Sequence, residues 1–372
     1  MSNKSCSYAV LSDIHGNFQA LQAVVKDARA IAKRETLRLR LICLGDVVDY
    51  GPQPNECMDW VCKQSEIIAV QGNHDAAASD PFYCSPRRRG VASIWWPITL
   101  WTRRELEEPY RTMLGSWRPS LHANSGLDRF ILYHSSLIGG DVVYVDNAAQ
   151  ARAEMKEIEH INNRERWDIH YGLLGHSHIQ GYFYEKAAGA PQFFLACAGD
   201  RYPADCPQPP RLAGDHRYNS SNRPGKETTE RDWTPVPAMV GASSVWQRLL
   251  PSWQKALFNP GSVGQPRPHA ALIDQEAYSD WRAAYMLLRI DERGIVHFQF
   301  RRVEYDVELT KHLLQERVRW GQDGDSGRTV LKDVLDPSVN PDQKDVRDLL
   351  PTIGGELDTL VRDRLIPNLG KK

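Results

Sequence analysis

The sequence predicts an α/β fold on two observations. Five short apolar runs are each followed at once by polar residues: "YAVL" by "SDIHGN", "LRLICL" by "GDVVD", "IIAV" by "QGNHD", "RFILY" by "HSS" and "HYGLL" by "GHSH". Continuous apolar runs of this length are typical of buried strands. Between the first two runs, one helical stripe holds the apolar residues Phe18, Leu21, Val25, Ala28 and Ala32, with Asn17 as a candidate N-cap. Strand, helix, strand is a βα unit.

Composition sets wide limits on function. The 372 residues favour one large domain with insertions or two domains, and the net charge of -1 recommends no polyanionic partner such as nucleic acid or an acidic membrane. Seven scattered cysteines, none in a CxxC pair, indicate reduced thiols in a cytosolic protein. No long apolar segment opens the chain, so we expect no signal peptide and no transmembrane helix. A cytoplasmic location is the resulting prediction.

Three segments depart from the strand rhythm. Residues 76–128 are predicted to be helical after the basic loop "SPRRRG", and residues 199–255, rich in Pro, Asp, Arg and Ser, are predicted to be a long excursion. A hairpin turning near Gly294 is expected to close a second sheet. Residues 307–372 are predicted to be a C-terminal helical extension, either a dimer arm or a cover for the sheet.

Two clusters in the first of these segments allow two interpretations each. The run from Arg87 to Arg89 fits a solvated loop or a phosphate-binding loop. The cluster of Trp95, Trp96 and Trp101 fits helix packing or a platform on which bases stack.

The polar residues after the five runs predict a metal site. Side chains at the carboxyl ends of strands converge on one crevice, and the candidate ligands there are Asp13, His15, Asp46, Asn73, His134, His176 and His178. Taken singly, His134 fits a core histidine and Asp46 an Asx turn. Imidazole, carboxylate and amide oxygen together, without thiolate, favour first-row ions such as manganese, iron, nickel or zinc.

Seven ligands are too many for one ion. If Asp46 bridges, each of two ions receives four protein ligands and keeps open positions for a hydroxide and a substrate oxygen, with the ions about 3.5–4 Å apart. Such a site suits displacement at phosphorus and requires no Ser or Cys nucleophile. We expect His74 to donate a proton to the leaving oxygen and Asp75 to orient it, while Asp49 braces the turn.

The motifs "DIH", "GDVVD", "GNHD", the single His134 and "GHSH", in this order, resemble the calcineurin-like metallophosphoesterases. The segment "NPGSVGQPR" resembles the closing motif of their small bacterial phosphodiesterase branch, and the likeness covers roughly residues 7–198 and 256–306. It implies a domain over residues 1–306, with insertions at about 76–128 and 199–255. The implied fold is a four-layer αββα sandwich of two mixed sheets.

The resemblance also implies roles for the candidate residues. One metal would be held by Asp13, His15, Asp46 and His178, and the other by Asp46, Asn73, His134 and His176. His74 would be the general acid.

Among functions, a two-metal phosphodiesterase or nucleotide phosphohydrolase is favoured, with manganese as the first choice of ion. Protein phosphatases of this superfamily characteristically read "GDxVDRG" and "GNHE", whereas this chain has Tyr50 and Asp75. Losing the arginine clamp disfavours doubly charged monoesters. The alternatives are a phosphomonoesterase or protein serine/threonine phosphatase, then a nuclease, then a metal-free scaffold like the related retromer subunit, from which this chain differs in keeping all seven ligands.

Overall fold

Two mixed sheets form the centre of the computed structural model, which describes residues 6–80, 83, 96–122, 126–140, 143–186, 192–195, 246–249, 253–266 and 282–317. The strands of this part of the chain are β1 (Cys6–Leu11), β2 (Arg38–Cys43), β3 (Ile67–Ala69), β4 (Ser120–His122), β5 (Phe130–Tyr133), β6 (Tyr171–Leu173), β7 (Gly181–Lys186), β8 (Gln192–Leu195), β9 (Gln247–Arg248), β10 (Trp253–Asn259), β11 (Ala283–Ile290) and β12 (Val296–Val303). The helices are α1 (Phe18–Arg34), α2 (Pro54–Cys62), α3 (Asn73–Ser79), α4 (Trp96–Glu105), α5 (Glu108–Ser116), α6 (Ala148–Glu165) and α7 (Val307–Arg317).

The strand order is β3-β2-β1-β11-β12-β9 in the first sheet and β4-β5-β6-β10-β7-β8 in the second. The five apolar runs lead into the site from both sheets, since β1, β2 and β3 are parallel neighbours in the first and β5 and β6 are parallel neighbours in the second. All five therefore point their carboxyl ends at one edge of the sandwich.

Alternation along β1 shows how the layers are held together. Tyr8 and Val10 pack into a cluster with Phe130 and Phe258 of the second sheet. Ala9 and Leu11, on the opposite face of the strand, pack against α1. Successive side chains of a strand point to opposite faces, so one strand serves two cores. A third cluster lies between the second sheet and α6. The resulting layers are helix, sheet, sheet and helix, as expected.

Helix α1 confirms the predicted amphipathic segment. The Asn17 side chain accepts a hydrogen bond from the Ala20 amide at 3.1 Å, which is the contact an N-cap makes. Leu21, Val25 and Ala28 are buried.

The predicted hairpin is formed by β11 and β12, and Gly294 has a positive φ of 73° in its turn. Its expected place in a second sheet is wrong, because β11 pairs antiparallel with β1 and extends the first sheet. Alternating apolar residues predict a strand but leave its neighbour open.

In the described part of residues 76–128, α4 and α5 confirm the helical prediction, but β4 follows them and pairs with β5. Trp101 is buried in α4, as helix packing requires. The arginine run, Trp95, most of residues 199–255 and residues 318–372 lie outside the described residues, so the domain boundaries stay a prediction. No helix in the described ranges has the length and apolar character needed to span a bilayer.

Candidate metal centre

The loops that follow the strands carry an unusual backbone. Seven of their non-glycine residues have positive φ, between 48° and 78°: Asp13, His15, Asp46, Asp49, Tyr50, His176 and His178. This region is unfavourable for residues with a Cβ, and its occupancy clusters at functional sites. Five of the seven predicted ligands are among them. These loops therefore direct side chains into the crevice through backbone conformations that are unfavourable for residues with a Cβ.

One group of potential ligands consists of Asp13, His15 and His178, all buried. The Nε2 atoms of the two histidines lie 3.1 Å apart, and His178 Nε2 lies 3.2 Å from Asp13 Oδ1. Nδ1 of His15 donates to the Val48 carbonyl at 3.3 Å, and Nδ1 of His178 donates to the Gln265 carbonyl at 2.6 Å. A carbonyl only accepts, so both neutral rings turn their Nε2 lone pairs inward.

A second group consists of Asp46, His134 and His176. His134 Nδ1 donates to the Leu44 carbonyl at 2.7 Å, so its Nε2 is an acceptor when the ring is neutral. This Nε2 lies 3.0 Å from Asp46 Oδ2 and 3.1 Å from Asn73 Oδ1. His176 Nε2 is buried without a hydrogen-bond partner among the described residues. Acceptors converging on acceptors, and a buried orphan nitrogen, are what a cation would satisfy.

The two groups adjoin each other. His15 Nε2 lies 3.8 Å from Asp46 Oδ2, and His134 Nε2 lies 4.0 Å from Asp13 Oδ1. Within each group the potential ligand atoms all lie within 4.8 Å of one another. The structure therefore brings all seven predicted ligands into one crevice, and the donor set fits divalent ions.

The charge states follow from burial and from these neighbours. Burial and the nearby His178 hold the pKa of His15 well below its usual value, and burial and His134 lower that of His176 to about 3. Burial opposes the charged forms of Asp13 and Asp46, yet the surrounding histidines hold the pKa of both carboxyls below the usual range. Neutral imidazole and ionised carboxylate are the forms that bind metal.

His134 behaves differently from the other histidines. Burial favours its neutral form, but the carboxylates of Asp46 and Asp13 raise its pKa to about 9. A cation entering the second group would compete with this proton.

Asp75 supports the loop that carries Asp46. Its carboxylate accepts from the amides of Asp46 at 2.8 Å, Val47 at 2.9 Å and Gly72 at 3.0 Å. A Cβ on Gly72 would lie 2.0 Å from Asp46 Oδ1, so only glycine lets the two loops approach this closely. Burial and the charge of Asp46 raise the pKa of Asp75 to about 7.

The expected orientation of His74 by Asp75 differs from what the structure shows. His74 Nδ1 lies 2.7 Å from Asp49 Oδ2, while the hydrogen bonds of Asp75 go to backbone amides. Asp49 also accepts from the Tyr50 amide at 3.1 Å, so it braces the turn as predicted and holds the imidazole as well. The second carboxylate of "GDVVD" was the available signal for this role.

The predicted closing motif fixes two of the ligand loops. The Ser262 hydroxyl and the Gly264 amide donate to the Asp13 carbonyl at 2.8 Å and 3.0 Å. The Asn259 amide donates to the Gly175 carbonyl at 2.7 Å, next to His176. The motif therefore acts on backbone next to the ligands.

Two tyrosines lie against the ligand histidines. The ring centroid of Tyr50 lies 4.7 Å from those of both His15 and His74, and Tyr144 stacks on His176 at 4.3 Å with an interplanar angle of 14°. Sequence reasoning missed Tyr144, because "DVVYVD" carries no motif. Aromatic side chains thus border the crevice on two sides.

A family model described as calcineurin-like phosphoesterase matches residues 7–195, about half of the chain. The chain belongs to this family. As a calcineurin-like phosphoesterase it is a hydrolase that depends on divalent metal, and its two groups of potential ligands agree with that chemistry.

Solved structures share the fold of this calcineurin-like phosphoesterase. A metallophosphoesterase from Sphaerobacter thermophilus is 22% identical, with a TM-score of 0.54 over 88% of this chain and 99% of that chain. A hypothetical protein from Pyrococcus horikoshii is 16% identical, with a TM-score of 0.52 over 88% and 97%. An uncharacterized protein from Methanocaldococcus jannaschii is 45% identical over 69 residues, which is 18% of this chain and 25% of that relative.

Proposed function

We propose that this calcineurin-like phosphoesterase binds two divalent ions and hydrolyses phosphodiesters or nucleotide-type substrates. The observation that carries the proposal is the pair of adjoining ligand groups, whose buried nitrogen and oxygen atoms face inward and lie close to one another. Asp13, His15 and His178 would hold one ion, and Asn73, His134 and His176 the other. Asp46, which belongs to the second group and lies 3.8 Å from His15 of the first, would serve both ions.

Two ions held there would supply positive charge for the phosphate oxygens and an activated water at neutral pH. The chain's own residues supply the proton for the leaving oxygen. Asp49 accepts the Nδ1–H of His74, so the ring can donate a proton through Nε2 when it is in the imidazolium form. A positioned imidazole suits this task because its pKa lies near neutrality in ordinary surroundings.

Tyr50 supports diesters as the substrate class. It stands where related phosphatases place an arginine, and its ring lies beside His15 and His74. A phenol offers one neutral hydrogen bond where a guanidinium offers a charged fork. A doubly charged monoester loses more from this exchange than a singly charged diester does.

Manganese is the proposed native ion, since the two ligand groups contain imidazole and carboxylate but no thiolate, and Asn73 adds an amide oxygen next to His134. A cytoplasmic location is proposed from the cysteines. Cys43 and Cys57 are free and buried, as expected of proteins from a reducing compartment.

The test compares kcat/KM for an aryl phosphodiester and the matching aryl monoester after chelation and after addition of Mn²⁺. We expect activity only with the ion, and a preference for the diester by roughly 10- to 100-fold. Tyr50→Arg should narrow this gap, while Tyr50→Phe keeps the ring and serves as the matched control. A monoester preference of about tenfold would replace the diesterase by the monoester or protein phosphatase.

A further inference from the structure

The carboxylate of Asp49 is completely buried and accepts four hydrogen bonds. His74 Nδ1 and Thr99 Oγ1 both donate to Oδ2, at 2.7 Å and 2.6 Å. Thr102 Oγ1 and the Tyr50 amide both donate to Oδ1, at 3.0 Å and 3.1 Å. The two hydroxyls are half of the donors around this group.

Both threonines belong to α4, in the segment predicted to be an insertion. They are three residues apart, which places them on one face of the helix, and they are 1% and 0% exposed. A buried hydroxyl requires a partner, and each of these two finds it in the same carboxylate. The face of α4 that meets the active-site loops is therefore polar at the point of contact with Asp49.

Helix α4 also holds the helix that carries His74. Arg103 Nη1 donates to the carbonyls of Ala78 and Ser79 at 2.7 Å and 2.5 Å, at the end of α3. The first two residues of α3 are Asn73 and His74. Helix α4 thus contacts both members of the Asp49–His74 pair. The threonine hydroxyls of α4 bind the aspartate, and Arg103 of α4 binds the helix that carries the histidine.

We propose that Thr99 and Thr102 are positioning residues for His74, acting through Asp49, and the proposal rests on the function proposed above. The two hydroxyls occupy lone pairs on both oxygens and so prevent the carboxylate from turning about its χ2 bond. With the carboxylate fixed, Oδ2 stays against Nδ1 and the imidazole keeps Nε2 toward the crevice. Small displacements of a proton donor reduce rate strongly, so this restraint has a kinetic consequence.

The experiment removes the hydroxyls without changing side-chain shape, in Thr99→Val, Thr102→Val and the double variant. We expect the double variant to lose about 10- to 100-fold in kcat on a phenyl diester and less than about threefold on a nitrophenyl diester, whose leaving oxygen needs little protonation. Thr99→Ser, which keeps the hydroxyl, should retain the wild-type rate on the phenyl diester. Thr112→Val, the same change at an exposed position on the neighbouring α5, is the matched control.

A structural defect would act differently in two respects. Loss of folded protein lowers the rate on both esters equally, and it persists when His74 is absent. We expect the valine substitutions to have less than about twofold effect in a His74→Ala background. Equal loss on both esters, or the same loss with and without His74, would overturn the proposal.

A second readout is independent of turnover. In ¹⁵N-histidine-labelled protein loaded with diamagnetic Zn²⁺, the Nδ1–H resonance of His74, assigned by its absence from His74→Ala, should move in Thr99→Val and return in Thr99→Ser. An unmoved resonance would refute the positioning role. If wild type cleaves neither ester, the proposed function fails, and the resonance still decides whether the threonines hold the imidazole.

Discussion

His15 and His178 point their Nε2 atoms at each other across 3.1 Å, and each Nδ1 is engaged by a backbone carbonyl. Two acceptor nitrogens at this distance repel unless a cation lies between or beside them. A divalent ion bound by these atoms would satisfy both nitrogens, so metal binding should contribute to folding stability.

The first prediction concerns metal content and stability. Wild type should bind about two ions per chain, and His178→Gln should retain about one. Chelation should lower the midpoint of thermal unfolding, and adding Mn²⁺ should raise it again. His160→Gln, a change at a histidine that is 71% exposed on α6, is the control. Equal metal content in His178→Gln and wild type, by elemental analysis, would contradict the assignment.

The second prediction concerns His74. His74→Ala should keep both ions, because the ring is held by Asp49 and is not a member of either ligand group. Its rate on esters with poor leaving groups should fall by about 10²- to 10⁴-fold, with a smaller loss on good leaving groups. Steady-state kinetics with phenyl and nitrophenyl esters, together with metal analysis, checks both parts. A variant that loses an ion, or loses equally on both esters, would count against a proton donor.

The third prediction separates Asp49 from Asp75 with the same substitution. Asp49→Asn should keep the metals and show the leaving-group pattern of His74→Ala, because it perturbs the imidazole. Asp75→Asn should instead lower metal content and destabilise the fold by about 1–3 kcal/mol, because an amide nitrogen cannot accept from the backbone amides next to Asp46. Denaturant unfolding and metal analysis of the two variants decide it. Identical behaviour of the pair would refute the distinction.

The fourth prediction concerns Asp146 and pH. Burial raises the pKa of this carboxyl from 3.8 to about 6, although Asn147 donates to it. The folded state then binds the proton more tightly than the unfolded state, so the contribution of Asp146 to stability declines as pH rises from about 4 through 6. Asp146→Asn does not titrate and should be more stable than wild type by about 3 kcal/mol at pH 8. The difference should vanish near pH 4 in urea unfolding, and a difference independent of pH would exclude this cause.

Features encoded by neighbouring residues could be predicted from the sequence, whereas contacts between distant residues could not. The strands β1, β2, β3, β5 and β6, helix α1 and the convergence of the seven candidate ligands were predictable because each is encoded within a few neighbouring residues: an apolar run, a stripe, or a motif placed at a strand end. The partner of His74 was not, since Asp49 meets it across 25 residues of chain and Asp75 is adjacent in sequence. Sequence proximity suggested the wrong carboxylate.

The contacts that the inserted helix α4 makes with Asp49 could not be predicted from the sequence for the same reason. Thr99 and Thr102 form part of no motif, and helical spacing alone does not reveal which loop their face will meet. The pairing of β11 with β1 was equally inaccessible, because a hairpin pattern fixes the turn but leaves the sheet it joins undetermined.

The left-handed backbone of the ligand loops has a consequence for how the protein could change. A residue with a Cβ held at positive φ costs of order 1 kcal/mol, whereas glycine adopts that conformation freely. Replacing Asp13, His15 or His176 by glycine would therefore relax the main chain at the very positions that carry the potential ligands. With a chelator present, when bound metal adds no stability, selection for heat resistance would therefore favour glycine at these positions, whereas the proposed hydrolysis requires their side chains.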